Sequence, residues 1–297
     1  MSSDTTAAQD LNKFFAGKDI AKNYESAERA TGPPAEAMIR QAGILSGLDN
    51  EDAELEVLDN ACGTGVVVVA LHKALAGKDG RLKLVCGDFS PQMVESVKER
   101  IAQMEGIDAE ARVLDGQAMD MIAADHFDYV FTNFGFQSFP EPLKGLRECV
   151  RVAKPGGTIG MTNWVKAGWL PAFRVAISRI PGAPTSLPDP LPFMTRTGRL
   201  FEASWTRQQL QEIPDVDAAT IQIEEHSFTM ELKDREEIRA FMQPLEGLFD
   251  VFTWQWSEDE RKACGEGRLV EAVVQALIEE PTLVWESLIT TFRKTTS

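Results

Sequence analysis

Between residues 55 and 164 short apolar runs alternate with amphipathic ones, and this rhythm restricts the fold more than any other feature of the chain. Leu55–Asp59 reads as a short buried strand, and Thr64–Leu75 as a helix closed by Gly77. Leu82–Gly87 is a second strand. A helix then runs from Ser90-Pro91 to about Glu105, with Ser90 as N-cap and Pro91 in the first helical position, where its missing N–H costs nothing. Strands follow at Ala109–Leu114 and Phe127–Thr132. Glu141–Ala153 is helical until Lys154-Pro155-Gly156-Gly157 stops it, and Thr158–Trp164 is a fifth strand. Strands and helices at this spacing build right-handed βαβ units, hence a parallel sheet with helices on both faces.

The flanks differ. Residues 1–18 have no periodicity. Helical spacing from Asp19 to Gly47 is interrupted by Gly32-Pro33-Pro34, which predicts two helices. Beyond Trp164, helices are expected at Trp169–Ile180, Thr206–Glu212 (capped by Ser204 or Thr206), Asp234–Phe249 and Glu258–Ile278. Five prolines in residues 181–192 demand an irregular loop. Ala219–Leu232 alternates apolar and polar residues as a strand does, and Leu283–Arg293 reads as the last strand. The division expected is a helical lid over 1–48, a ligand-binding core over 49–164, and a substrate-side part over 165–297 that returns two strands to the same sheet.

Charge narrows the partners. The formal net charge of the 297 residues is −16, which repels phosphate backbones and argues against nucleic acid. No apolar run reaches the roughly 18–20 residues a membrane span requires. The N-terminus does not pattern as a signal peptide, so a soluble, cytoplasmic protein is expected. Cys62, Cys86, Cys149 and Cys264 form no C-x-x-C pair and have no histidine at metal-ligand spacing, so buried thiols and no metal are expected.

The chemistry is concentrated where the first strand ends, in Val57-Leu58-Asp59-Asn60-Ala61-Cys62-Gly63-Thr64-Gly65. An acid at the end of a first strand, a glycine turn and then a helix form a nucleotide-handling device, because glycine lets the backbone turn tightly and approach a ligand. A dinucleotide site needs G-x-G-x-x-G. Here the third glycine is replaced by Val68, within the run Val66–Val69, which counts against pyrophosphate.

Asp59, Ala61, Gly63 and Gly65 resemble motif I of class I S-adenosylmethionine-dependent methyltransferases, D-x-G-x-G-x-G, with Ala61 in place of the first glycine. The added methyl is expected to ask for negative φ and to shift the loop. The resemblance continues through Asp88-Phe89-Ser90-Pro91-Gln92-Met93, Asp115-Gly116-Gln117-Ala118, the fourth-strand segment ending Thr132-Asn133, and Arg151-Val152-Ala153-Lys154-Pro155-Gly156-Gly157, over roughly residues 55–164. It is closest to the small-molecule methyltransferases of the ubiquinone/menaquinone-biosynthesis type. The resemblance implies a Rossmann-like seven-stranded sheet of order 3-2-1-4-5-7-6 with the last strand antiparallel. It implies S-adenosylmethionine as cofactor, with Asp59 organising the loop and the cofactor's ammonium group and Gly63 and Gly65 beside its methionine and ribose. Asp88 would accept from both ribose hydroxyls, as an ionised carboxylate can. Phe89 and Met93 would pack on adenine, Asp115, Gly116 and Gln117 would read its amino group, Thr132 and Asn133 would complete the site, and Tyr24 would cover it as part of a lid.

For the acceptor, five of the six tryptophans lie between 164 and 256. With Phe134 and Phe136, the residues Trp164, Trp169, Phe173 and Trp254 are expected to line an apolar pocket, and Phe193, Trp205 and Trp256 add aromatic surface. The expected reaction is metal-independent methyl transfer to a hydrophobic small molecule, at oxygen before nitrogen or carbon. Of the histidines, His72 looks structural, His126 is expected to be exposed just before the fourth strand, and His226 is the candidate general base. The alternative is a methyltransferase-like protein that binds the cofactor but catalyses a pericyclic or isomerising step, or acts as a scaffold.

Overall fold

A computed structural model of the chain describes residues 28–47, 54–75, 81–187, 198–243, 253, 256–265 and 267–296. Seven strands form one sheet: β1 (Leu55–Asn60), β2 (Leu82–Asp88), β3 (Asp108–Val113), β4 (Phe127–Asn133), β5 (Ala153–Lys166), β6 (Val216–Glu231) and β7 (Thr282–Lys294). Their order is β3-β2-β1-β4-β5-β7-β6. β1 to β5 are mutually parallel, with Leu55 opposite Leu82 and Val57 opposite Tyr129, while β7 runs antiparallel to both β5 and β6. The topology implied by the resemblance is therefore the one observed. The order reverses between β1 and β4, and the crevice at such a switch point is where open α/β sheets bind ligands.

The helices are α1 (Glu28–Ala42), α2 (Ile44–Gly47), α3 (Val66–Ala74), α4 (Pro91–Ile101), α5 (Pro142–Val152), α6 (Leu170–Ser178), α7 (Ala203–Glu212), α8 (Arg235–Met242), α9 (Glu258–Cys264) and α10 (Arg268–Glu279). α1 and α3 cover one face of the sheet, where Met38, Ile39, Val57, Val67, Val68, Leu71 and Phe131 are buried together. On the other face Leu146, Cys149 and Val150 of α5 and Leu210 of α7 pack with Ile159, Met161 and Phe292. A separate apolar core joins α6, α8 and α10 to the ends of β6 and β7 through Phe173, Phe241, Val273, Val274 and Trp285.

Three details differ from expectation. The helix at Gly32-Pro33-Pro34 does not break: α1 is continuous through both prolines. Thr31, Pro34, Ala35, Met38 and Ile39 are buried on its inner side, and burial overrides the lost amide donors. The helix ends instead at Gly43, in the left-handed region at φ 71°. The expected helix over 258–278 is two helices, parted at Gly265 and at Gly267, whose φ is 74°. β5 and β6 are longer than their apolar patterns: β6 pairs along nearly the whole of β7, and β5 begins at Ala153 opposite Phe127 of β4 and runs on to Lys166 opposite Glu286 of β7. Ser90 caps α4 as expected, accepting from the Met93 N–H. Tyr24, Phe193 and Trp254 lie outside the described residues.

Candidate active site

A cleft opens at the carboxyl ends of β1, β2 and β4. Ala61, Gly63, Asp88, Phe89, Met93, Asp115, Gly116, Gln117, Asn133 and Phe134 from the sequence reading all line it. Thr31, Cys62, Thr64, Gly135 and Phe139, among others, also line it without having been anticipated. Gly135 and Phe139 carry no motif; only their position just after β4 could have marked them.

Asp88 is the best-defined polar group. Its Oδ2 accepts from the Gly63 N–H at 2.9 Å, and its Oδ1 accepts from the Ser90 N–H at 2.9 Å. Each oxygen keeps acceptor capacity for a ligand hydroxyl. Burial raises the Asp88 carboxyl above its ordinary range, and the two backbone donors oppose that rise. Asp115 shapes its own turn, accepting from the Gln117 N–H at 2.9 Å. The Gln117 side chain is held too, accepting from the Glu141 N–H at 2.7 Å.

Glycine is required at two points of the wall by close approach. A Cβ on Gly116 would lie 2.3 Å from Asn60 Oδ1 and 2.8 Å from Phe139 Cζ. A Cβ on Gly135 would lie 2.7 Å from the Ala61 methyl, so the β1 and β4 loops touch where Gly135 has no side chain.

Ala61 adopts φ 58°, the left-handed conformation of the glycine it replaces, and not the negative φ expected for it. The loop keeps its course and the residue carries the strain. An L-residue there costs about 1–2 kcal/mol, partly offset by the extra freedom glycine has in the unfolded chain. Ala61→Gly is accordingly expected to stabilise the protein by about 1 kcal/mol in urea unfolding. A loss of stability instead would mean that the methyl's contact with Gly135 outweighs the strain.

Phe134, across the cleft, is also left-handed at φ 60°. Its N–H donates to Thr162 Oγ1 at 3.0 Å, and the Thr162 hydroxyl donates to Asn133 Oδ1 at 2.7 Å. Asn133 Nδ2 in turn donates to the Thr31 carbonyl at 3.2 Å. The Phe134 ring stacks on Trp164 with centroids 3.8 Å apart and planes 10° from parallel, and Trp164 leans on Trp285 at 4.9 Å. Backbone strain of this kind persists where surrounding contacts fix it.

Other anticipated residues lie elsewhere. Asp59 is fully buried beneath the loop, with neither carboxylate oxygen hydrogen-bonded. Burial first, and the Asp88 charge second, push its carboxyl well above the usual range. Gly65 sits behind the wall as the N-cap of α3 at φ 92°. Thr132 is buried in a cluster with Asn60 and Cys149. Phe136, Trp169 and Phe173 are core residues: Phe136 packs edge-on to Phe139, and Trp169 on Phe173. His226 is on β6, separated from β4 by β5 and β7, and is absent from the cleft wall. Burial, then the Arg40 charge, lower its imidazole.

Among the described residues the four cysteines are free and buried. Burial pushes Cys149 up to about 12, and Cys62 is raised by its hydrogen bond to Cys86, by burial and by nearby acids, so both remain protonated thiols. No group of three metal-binding side chains occurs among the described residues, and no helix there is long and apolar enough to cross a membrane.

Residues 57–157 match a methyltransferase-domain family. The chain is 33% identical over 199 residues to the methyltransferase tpcH of Aspergillus fumigatus, an alignment covering 67% of each protein. It belongs to the S-adenosylmethionine-dependent methyltransferases. The demethylmenaquinone methyltransferase of Staphylococcus aureus is 40% identical over 123 residues, 41% of this chain and 45% of that one. Among solved structures, the YcgJ protein of Bacillus subtilis superposes with a TM-score of 0.51 at 15% identity, covering 87% of this methyltransferase and 99% of that chain, which is a likeness of fold. The cleft suits the cofactor: Asp88 offers a buried acceptor pair, and a Cβ at Gly63 would meet no protein atom within 4 Å, so the wall is open there.

Proposed function

We propose that the protein methylates an uncharged, hydrophobic small molecule at a hydroxyl oxygen, with residues 49–164 holding the cofactor and 165–297 shaping the acceptor side. In this reading Asp88 accepts from the ribose hydroxyls, Phe89 and Met93 flank the adenine, and Asp115, Gly116 and Gln117 meet its edge. The turn Ala61–Gly65 runs along the methionine portion. The bound cofactor supplies a methyl group already activated by its sulfonium.

The observation that carries the acceptor class is the lining of the cleft. No Lys, Arg or His of the described residues lines it, while Asp88 and Asp115 do. An anionic acceptor would find no partner, and burying it would be costly. A phenol or enol needs no protein base when its own acidity is sufficient, which agrees with a wall whose two carboxylates are both given to the cofactor in this reading. Phe134, braced by Trp164, provides a rigid flat surface on which such a ring can lie. The work left to the protein is to align the acceptor in line with the methyl group and exclude water, and positioning of this kind contributes roughly 7–11 kcal/mol.

Incubation with deuteriomethyl-labelled S-adenosylmethionine and matched sets of phenols, thiols and amines tests the assignment. The expected products are labelled methyl ethers. Labelled thioethers or N-methyl amines in their absence would overturn oxygen as the acceptor atom. The relative named for demethylmenaquinone supports a ring-bearing acceptor in general and does not choose the atom.

A further inference from the structure

The first turn of α1 fastens to the cofactor loop, to α4, to α8 with the end of β6, and to the end of β4. Glu28 Oε1 accepts from the Thr64 hydroxyl at 2.6 Å, and Thr64 lies between Gly63 and Gly65 of the cofactor loop. The same oxygen lies 2.9 Å from the Arg100 guanidinium near the end of α4, an ion pair whose side chains are only 23% and 21% exposed. Arg29, the next residue, reaches the opposite way. Its guanidinium pairs with Glu237 on α8 and donates to the Glu231 carbonyl at the end of β6 at 3.2 Å. Thr31 forms part of the cleft wall, and its carbonyl is held by Asn133 at the end of β4.

We infer that Glu28 and Arg29 are positioning residues that strap the cofactor loop to the acceptor half, so that cofactor binding is felt in α8. Two consecutive residues hold the cofactor loop on one side and α8 with the end of β6 on the other, so a shift of the loop must displace the turn, and with it Arg29. The Glu28 arm is partly buried and charge-assisted, which makes it the stronger of the two. The Arg29 pair is more exposed, at 43% and 26%, and pairs of that kind are weak enough to open and close. A loop that must admit and release a ligand needs such a fastening. Coupling through it must be reciprocal, with whatever engages α8 altering cofactor affinity by the same factor.

The inference rests on the cofactor occupying this cleft, which the Asp88→Ala measurement described below tests by itself. The probe is S-adenosylhomocysteine with the full-length protein, followed by stopped-flow dissociation and by amide hydrogen exchange of residues 235–242. In wild type, saturating ligand is expected to slow exchange in α8 about fivefold. Glu28→Ala is expected to accelerate dissociation about tenfold, and Arg100→Met, which removes the same ion pair from the other helix, several-fold. Arg29→Met is expected to leave dissociation within about twofold while abolishing the protection of α8. A fastening that served stability alone would lower the unfolding midpoint without splitting these two readouts. Dissociation unchanged in both Glu28→Ala and Arg100→Met, or α8 still protected in Arg29→Met, overturns the inference.

Discussion

Replacing Asp88 with alanine is expected to weaken S-adenosylhomocysteine binding by about 100-fold or more, as measured by titration calorimetry. A hydrogen bond to a charged acceptor contributes about 1.5–3 kcal/mol, so losing two ribose contacts removes roughly 3–6 kcal/mol, and each 1.4 kcal/mol is tenfold in affinity. The variant also frees the Gly63 and Ser90 N–H groups, which now hold the loop and the start of α4 against the carboxylate. Asp88→Asn separates these effects. It keeps the shape and one acceptor, and turns an NH₂ group toward a backbone donor, so its affinity should fall between wild type and alanine. The pH dependence has a definite sign. Only the ionised carboxylate accepts through both oxygens, and burial raises the pKa above the ordinary 3.8. Affinity should therefore begin to fall, as pH is lowered, above the range in which an exposed aspartate titrates. Alanine at 88 binding within a few-fold of wild type would remove Asp88 from the ribose site.

The half of the fold that carries this residue was legible because its determinants are local. Strands β1 to β5 show as apolar runs punctuated by glycine and proline, and Ser90-Pro91 announces a helix start with two independent signals. Asp88, Gly63 and Gly116 reach the cleft because a strand end and its turn fix where they point. Residues whose role depends on which face of an element meets which neighbour were not legible. Asp59 and Asp88 both end parallel strands, yet one is sealed under the loop and the other opens onto the cleft. Trp169 and Phe173 have the composition of a ligand pocket and are used as core between α6, α8 and α10. Gly32-Pro33-Pro34 carries the strongest local break signal in the chain, and packing overrides it. The fastening at Glu28 joins residues 36 and 72 positions away, a separation that no local pattern records.

Asp59→Asn is expected to raise the thermal midpoint of the ligand-free protein at neutral pH and to weaken cofactor binding. In wild type both carboxylate oxygens are buried without a hydrogen-bond partner, next to a second acid. An unpaired buried charge costs several kcal/mol, or the group protonates to avoid it. The folded-state pKa is raised, so the folded protein holds a proton that the unfolded chain releases near its ordinary 3.8. Wild-type stability from this group is thus fully present below that value and is lost as pH rises through the folded pKa. Asparagine matches the protonated acid in shape and does not titrate. The stability difference between Asp59→Asn and wild type should accordingly be small near pH 4 and widen as the pH rises above it. A midpoint difference independent of pH would show that Asp59 does not titrate in this range. Binding supplies the reason for retaining a residue that destabilises the empty protein. S-adenosylmethionine carries a sulfonium charge that S-adenosylhomocysteine lacks, and a cation held at the loop favours the ionised form of Asp59, which burial keeps protonated in the empty protein. Removing the charge should therefore weaken S-adenosylmethionine more than S-adenosylhomocysteine, narrowing the preference for substrate over product, and equal weakening of the two would sink that role for Asp59.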